Sequence, residues 1–571
     1  MFKYIKPYRK YLFAIIICAI ISNVLIIISP LYTGKAIDFI IAEGKVDFPS
    51  ILNIIIILSV IYFLSALFQW MLSIFTNKLS NYAVRDIRHD AFYKVTALPL
   101  KYYDDSNNTH GDIINRLTND IDFISEGLIQ GLTQLFSGVI TIIGALIFMF
   151  KLSTSITIVV LLITPLCFFI SSFIARNSNK MFKEQSKTLG ELNGYIEEII
   201  GGHSVVKAFS YEKRSQYRFK EINQRLYKCG QKSQFYSSLT NPSTRFVNNI
   251  TYILVGIIGG MAAIGGKLSI GNISSFLMYS THFSKPINEI TSMATQLQSA
   301  IASAERVFDI LDETSEEEDI HKPNLNITEG NVVFDRVYFS YNKDKPLIEN
   351  FKLDAKSGDT IAIVGPTGAG KTTLVNLLMR FYDVDSGSIL IDGADIQSVN
   401  KESLRHLFGM VLQESWLFSG TIRDNIAYGK VNATDSEIIK AAKSAHAHSF
   451  IKRLPNGYDT FITEDGGNLS QGQKQLLTIA RVMLINPPML ILDEATSSID
   501  TLTEARIQKA FSSLMKGKTS FIIAHRLSTI READLILVMN NGHIIEKGTH
   551  TELIDKNGFY ANLLKSQTFG E

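Results

Sequence analysis

Charge of one sign is not in excess in this chain: 56 Lys and Arg stand against 54 Asp and Glu, a formal net charge of +2 over 571 residues. That balance leaves no strongly basic face, and nucleic acid is excluded as a partner on that ground. Cysteine is scarce as well, being limited to Cys18, Cys167 and Cys229. No pair has metal-ligand or redox spacing, so these read as small apolar residues of a reduced protein. A signal-peptide cleavage site is also lacking. The basic N-terminus runs into an uncharged stretch from Tyr11 to Gly34. This exceeds a signal h-region of about 7–15 residues and has no small-residue cleavage pattern, so it reads as a retained membrane helix.

What is present divides the chain in two. At roughly 150 residues per unit, the length predicts three to four units. Up to about residue 300 the sequence is dominated by Ile, Leu, Phe and Ser, and charge is missing from long runs. Beyond about residue 325 it reads as a soluble α/β protein. A bilayer core of ~30 Å takes about 20 apolar helical residues. Runs of that kind are Tyr11–Gly34, Ser50–Asn77, Gly127–Phe150, Leu152–Ala175 and Phe246–Gly266. A sixth, Leu268–Ser284, is shorter and more polar, and is expected to continue through the Lys285-Pro286 step.

The Lys/Arg bias sets the orientation. One side carries Lys3, Lys6, Arg9 and Lys10, then Lys78 to Arg116, then Arg176 to Arg245. The other has only Lys35, Lys45, Lys151 and Lys267. Both chain ends are therefore expected in the cytoplasm. The two cytoplasmic connections are amphipathic, so the membrane helices are expected to extend well beyond the bilayer. A 20-residue extension reaches about 30 Å. Breakers interrupt them at Leu98-Pro99-Leu100, from Asp104 to Gly111, and at Gly201-Gly202. Hairpins of that length are expected to touch a soluble domain.

The second half carries the chemistry. Thr360 to Val364 reads as a buried strand and leads into Gly365-Pro366-Thr367-Gly368-Ala369-Gly370-Lys371-Thr372. This is the phosphate-loop pattern, in which backbone N–H groups surround phosphate oxygens, Lys371 neutralises charge and Thr372 ligates magnesium. A helix over Leu374 to Arg380 is expected to add its N-terminal dipole. A second strand, Met489 to Leu492, delivers Asp493-Glu494 to the carboxyl edge of a sheet, where ligands bind in open α/β folds. Asp493 suits magnesium, and Glu494 can polarise the attacking water.

Between and beyond these lie Asn468-Leu469-Ser470-Gln471-Gly472-Gln473 and Ile523-Ala524-His525-Arg526. The order of phosphate loop, Gln413, Leu-Ser-x-Gly-Gln, Asp-Glu and His resembles the ATP-binding cassette (ABC) transporter family. With its membrane half first, the chain is similar to the exporter branch. Gly111 to Asp120 and Val205 to Phe209 resemble family segments that flank the coupling helices. The resemblance implies an α-helical six-span membrane domain over residues 1–310, a linker over 311–330 and an α/β P-loop cassette over 331–571. It implies ATP and Mg2+, bound by Tyr341 under adenine, by the loop from Gly365 through Thr373, and by Gln413 as magnesium sensor. The same carry-over gives Ser470, Gly472, Gln473 and Asp500 nucleotide or inter-site contacts, His525 the γ-phosphate, and Glu464 communication with the coupling helices. Catalysis falls to Glu494, His525, Lys371 and Gln413, and the metal to Thr372, Gln413 and Asp493.

In the family the signature residues contact ATP held by the opposite subunit, so a second half-transporter is implied. Moving a switch from 1:99 to 99:1 takes about 5.5 kcal/mol, which ATP contacts made only in the closed dimer can supply. Gln471 departs from the usual Leu-Ser-Gly-Gly-Gln. It resembles chains of heterodimeric exporters whose partner carries one impaired site. With Glu494 and His525 retained, this chain is expected to complete the competent site, with a homodimer as the alternative. The inferred interior has polar members Asn23, Gln69, Gln130, Gln134, Asn248, Asn249 and His282 but almost no charge. That argues against proton antiport and suits a hydrophobic or amphipathic cargo in a bacterial plasma membrane. An ATP-gated channel or sensor built on the same architecture is the rival reading.

Overall fold

A backbone without water must satisfy its own polar groups, and for the apolar runs of the first half that means helix. The computed structural model describes residues 1–571 apart from 43–44, 106–107, 317–318, 320, 326–328, 344, 414, 464–465, 494–498, 525–526 and 569–571. The chain divides into two compact units, Met1–Leu98 with Asn107–Thr314, and Pro99–Ser106 with Ser315–Glu571.

In the first unit the six runs fall on separate long helices. Among the described residues, four helices are long and apolar enough to cross a membrane: Phe2–Asp38, Phe48–Thr96, His110–Leu152 and Arg245–Ile264. The other two runs lie on the more polar helices Thr154–Gly201 and Ile270–Asp312, the latter passing through Pro286 without a break. Helix Phe48–Thr96 has 49 residues, about 74 Å at 1.5 Å per residue, so it outruns a ~30 Å bilayer core by more than a factor of two. The expected breaks are where the helices stop, after Thr96 and at Gly201. His110–Leu152 is continuous but widens into π turns at Arg116–Asp120 and Gly131–Leu135.

Small residues let these helices approach closely, as van der Waals packing in lipid requires. A Cβ on Gly271 would lie 2.0 Å from the Gly34 carbonyl oxygen, and one on Gly34 would lie 2.4 Å from that of Gly271. The same junction is tied by Asp38, whose carboxylate accepts from Ser269 Oγ and from Gly271 N–H, each at 2.7 Å. Pro30, inside the first helix, leaves the Ile26 carbonyl without its helical donor, and Ser29 Oγ supplies one at 2.8 Å. Asn23 accepts from Thr141 Oγ1 at 3.1 Å, so that the one strongly polar side chain of this region of the first helix is satisfied in the interior. Beyond the apolar runs, buried Asp120 accepts from Ser303 Oγ and from Arg306 at 2.8 Å, joining the third run's helix to Ile270–Asp312.

The second unit is built on a six-stranded sheet with the order His543–Gly548, Leu535–Asn540, Thr360–Val364, Thr519–Ile523, Met489–Asp493, Phe408–Val411. All neighbours are parallel except the first pair. Thr519–Ile523 is buried along its whole length, as a central parallel strand covered on both faces should be. A four-stranded antiparallel sheet, Ile348–Ala355, Val332–Phe339, Ser386–Ile391 and Ala394–Asp395, completes the unit. Residues from Ser315 onward cluster with the second unit. Asp319 pairs with Arg380 at 2.7 Å, both side chains buried, and Arg405 reaches Glu316 at 2.7 Å.

The Gly34–Gly271 crossing yields a test. Gly271→Ala forces a methyl group into a backbone carbonyl, and overpacking of this kind costs about 1–3 kcal/mol. A fall in the melting temperature of the purified protein is expected, larger than that caused by alanine at Gly260, where an added Cβ meets nothing within 4 Å.

Candidate nucleotide site

Register decides where the chemistry sits. Val411 pairs with Leu492, Asp493 with Ile523, and Ile523 with Ile363, so these parallel strands end within two residues of one another. The phosphate loop, Asp493 and Gln413 therefore leave the sheet at one carboxyl edge.

The loop runs from strand Thr360–Val364 to helix Lys371–Leu378. The helix starts three residues earlier than the sequence suggests, because Gly370 takes φ 94° at the N-cap, a left-handed conformation open to glycine. Pro366, Thr367 and Gly368 form an exposed crest, while Gly365 is half-buried and Ala369 and Gly370 are buried. Lys371 is buried at the helix N-terminus and donates to the carbonyls of Gly365 at 2.8 Å and Pro366 at 3.0 Å. These bonds engage two of its three donors and curl the ammonium over the loop. Burial pushes its pKa below the ordinary lysine value, and the Asp493 carboxylate opposes that shift. Thr372 is exposed in the first helical turn, and Thr373 is buried behind it.

Tyr341 follows strand Val332–Phe339 and stands against the same helix. Its hydroxyl donates to Thr373 Oγ1 at 3.4 Å and accepts from Asn376 Nδ2 at 3.2 Å. Edge-on contacts with Phe339 at 4.9 Å and Tyr382 at 5.0 Å fix the ring, which stays 45% exposed and so keeps surface for a base to stack on. Tyr382 and Asn376 were not singled out in the sequence, where nothing local marks them. Tyr382 also donates to the Asp104 carboxylate in the segment Pro99–Ser106, and burial with that carboxylate raises its phenol pKa.

The signature residues make a different set of contacts. Ser470 caps helix Gln471–Ile485: its Oγ accepts from Gln473 N–H at 3.3 Å, while Gln473 Oε1 accepts from Ser470 N–H at 3.0 Å. Gln473 thus spends its carbonyl on a capping box. A Cβ on Gly472 would lie 2.4 Å from Thr503 Cγ2 and 3.1 Å from Ile499 Cγ2, so glycine is needed for packing there. Asp500 caps the next helix, Thr501–Met515, accepting from Thr503 N–H at 2.9 Å, and those bonds hold its pKa low. Gly472 is joined to the Asp500 turn, the nearest atoms to its added Cβ among the described residues being those of Thr503 and Ile499. Gln471 is exposed at the first helical position without positive φ, so nothing local requires glycine there. Glu494, His525 and Glu464 lie outside the described residues.

Thr372, Asp493 and Gln413 offer hydroxyl, carboxylate and amide oxygens at one edge. No group of three or more His, Cys, Asp or Glu that could hold a metal occurs among the described residues. A sparse set of hard oxygen donors fits Mg2+, which keeps water and phosphate ligands instead of a protein cage. The capping box supplies a prediction. Ser470→Ala removes the hydroxyl arm of the box at a cost of ~1 kcal/mol, read as a lower unfolding midpoint and slower ATP hydrolysis. Gln471→Gly is expected to leave the hydrolysis rate unchanged.

Comparison with known proteins agrees with this geometry. A model of the ABC transporter transmembrane region matches residues 12–287, and one described as ABC transporter matches residues 348–497. The uncharacterized ABC transporter ATP-binding protein YfiC of Bacillus subtilis is 43% identical over 99% of this chain and 93% of its own length. A fatty acid ABC transporter ATP-binding/permease protein of Mycobacterium bovis is 43% identical over 91% of this chain and 82% of its own. Among solved structures, a bacterial Atm1-family ABC exporter with ATP bound matches with a TM-score of 0.79 at 28% identity, covering 98% of each chain. The chain belongs to the ABC transporter family, as an exporter-type fusion of a transmembrane region with an ATP-binding cassette that couples ATP hydrolysis to transport.

Proposed function

We propose that this chain is one half of a dimeric exporter that moves a hydrophobic or amphipathic molecule out across a bacterial plasma membrane, with both termini in the cytoplasm. The membrane domain spans residues 1–310, and the linker 311–330 joins it to the cassette, 331–571. The name of the mycobacterial relative supports an acyl-chain cargo, as does a membrane region with almost no internal charge.

One observation carries the dimer. The phosphate loop, Asp493 and Gln413 share an edge, whereas Gly472 packs on the Asp500 turn and Ser470 caps the helix that bears it. Signature donors confined to a separate helix start suit a γ-phosphate bound by another chain. In this reading Tyr341 stacks on adenine, Gly365 through Thr373 wrap the phosphates, and Lys371 neutralises their charge. Mg2+, held by Thr372, Asp493 and Gln413, would offset charge on the β- and γ-phosphates. Glu494 orients and polarises the attacking water, and His525 contacts the γ-phosphate. Phosphate-facing Ser470 and Gly472 hold the partner's nucleotide, and Asp500 links the two sites.

Heterodimer assembly follows from Gln471 together with the retained Glu494. The exposed, unstrained position of Gln471 favours a second arrangement, a homodimer in which the change is neutral. Native mass of the complex purified at natural expression separates the two. A partner of different sequence, with hydrolysis nearly abolished by Glu494→Gln alone, is the expected result. A complex containing only this chain makes both sites equivalent. Normal hydrolysis by Glu494→Gln removes the catalytic role given to that residue. ATP-dependent uptake into inverted vesicles tests export itself, and a conductance without accumulation would point to a channel.

A further inference from the structure

Outside the cassette, the described residues include a cleft of about 460 Å³ between helices Thr154–Gly201 and Glu212–Ser238. Its volume lies in the range of small-molecule sites, about 300–1,000 Å³. Lys180 on one helix and Lys232 on the other both line the cleft, with the amides of Asn177 and Gln231. Met181, Phe235 and Tyr236 supply the apolar wall, and no Asp or Glu is among the described lining residues. Further along the same hairpin Glu191 pairs with Arg225 at 2.6 Å and with Arg218 at 3.8 Å. Neither cleft lysine enters an ion pair among the described residues.

The uncharged run of helix Thr154–Gly201 ends at Ala175, so Asn177, Lys180 and Met181 lie about 3–9 Å past it at 1.5 Å per residue, whereas on the other wall Gln231 to Tyr236 precede the run that begins at Phe246 by about 15–23 Å of helix. The cleft therefore lies beyond both apolar runs, where lysine and aromatic side chains come together. Two unmatched ammonium groups there, with an apolar wall alongside, present both halves of an amphiphile's complement. A charge-assisted contact satisfies the head, and burial against Phe235 and Tyr236 holds the first methylenes of the chain.

We propose that this cleft binds an anionic amphiphile, its carboxylate or phosphate head between Lys180 and Lys232 and its chain along Met181, Phe235 and Tyr236. This rests on the export reading for its cytoplasmic placement and deepens it by naming where an acidic cargo or a bilayer lipid is held. The head chemistry is common to a free fatty acid and a phospholipid.

The test uses the complete complex in phosphatidylcholine nanodiscs, with a diazirine-bearing oleate as probe and peptide mass spectrometry as readout. Oleate is expected to label peptides containing Met181 or Phe235–Tyr236. The double variant Lys180→Glu/Lys232→Glu should lower that labelling about tenfold, the size of one charge-assisted contact. Lys180→Arg/Lys232→Arg should retain it, and the corresponding diazirine alcohol should label about tenfold less. Unchanged size-exclusion elution shows that the variants still assemble. Label lost during ATP turnover identifies cargo, and label displaced by phosphatidylglycerol irrespective of ATP identifies bilayer lipid. Equal labelling by acid and alcohol, or indifference to charge reversal, overturns the site. So does failure of a maleimide to reach Lys232→Cys in the assembled complex, because the partner chain then fills the cleft. Labelling that persists without vesicle transport leaves the site standing and removes the export reading.

Discussion

The shared register of parallel strands, which end within two residues of one another, is the constraint on which the cassette's edge depends. Thr360–Val364, Thr519–Ile523, Met489–Asp493 and Phe408–Val411 pair in register, so the residues that follow each strand emerge together. A slip of one residue would turn every side chain of a strand to the opposite face. The buried apolar faces of these strands therefore hold Asp493 and the phosphate loop in common register. Packing energy in the sheet core thus fixes where these residues emerge. Lys371, drawn down onto the carbonyls of Gly365 and Pro366, adds a buried positive charge at a helix start, which raises the local affinity for phosphate.

The membrane unit solves a different problem, because lipid gives helices little hydrophobic reason to associate. Close backbone approach at Gly34 and Gly271 substitutes shape for hydrophobicity. Asp38 and the Asn23–Thr141 bond add polar specificity at points where mispacking would strand a donor or acceptor. Beyond the apolar runs, Asp120 with Ser303 and Arg306 ties two of the same helices again. The 49-residue helix Phe48–Thr96 has ties of its own past its apolar run, Tyr4 Oη donating to Asp90 at 3.0 Å and Arg88 to Asp122 at 2.9 Å.

The cassette's signature segment is fixed in place by capping and packing together. Ser470 and Gln473 form the box that starts a helix, and Gly472 gives the space in which Thr503 packs. Asp500 caps the helix bearing Thr503, so a change at the cap reaches Gly472 directly. Gln471 points out of this arrangement, which is why the one departure from the family pattern falls where no local geometry forbids it.

Local order in the sequence determined a great deal. Uninterrupted apolar runs dictate membrane helices because charge cannot be left in lipid. Gly-x-x-x-x-Gly-Lys-Thr dictates a phosphate loop because backbone curvature and a lysine at that spacing are local properties. The boundaries read less well: the phosphate-loop helix begins at Lys371, since a left-handed Gly370 can cap it directly. Contacts between residues distant in sequence were decided by tertiary structure alone. Tyr382 edge-on to Tyr341, Asp104 on the Tyr382 hydroxyl, Asp120 with Arg306, and Lys180 and Lys232 on one cleft have no signature in their own neighbourhoods. Each exists because separate elements, formed for local reasons, bury their apolar faces and carry these side chains together as they pack.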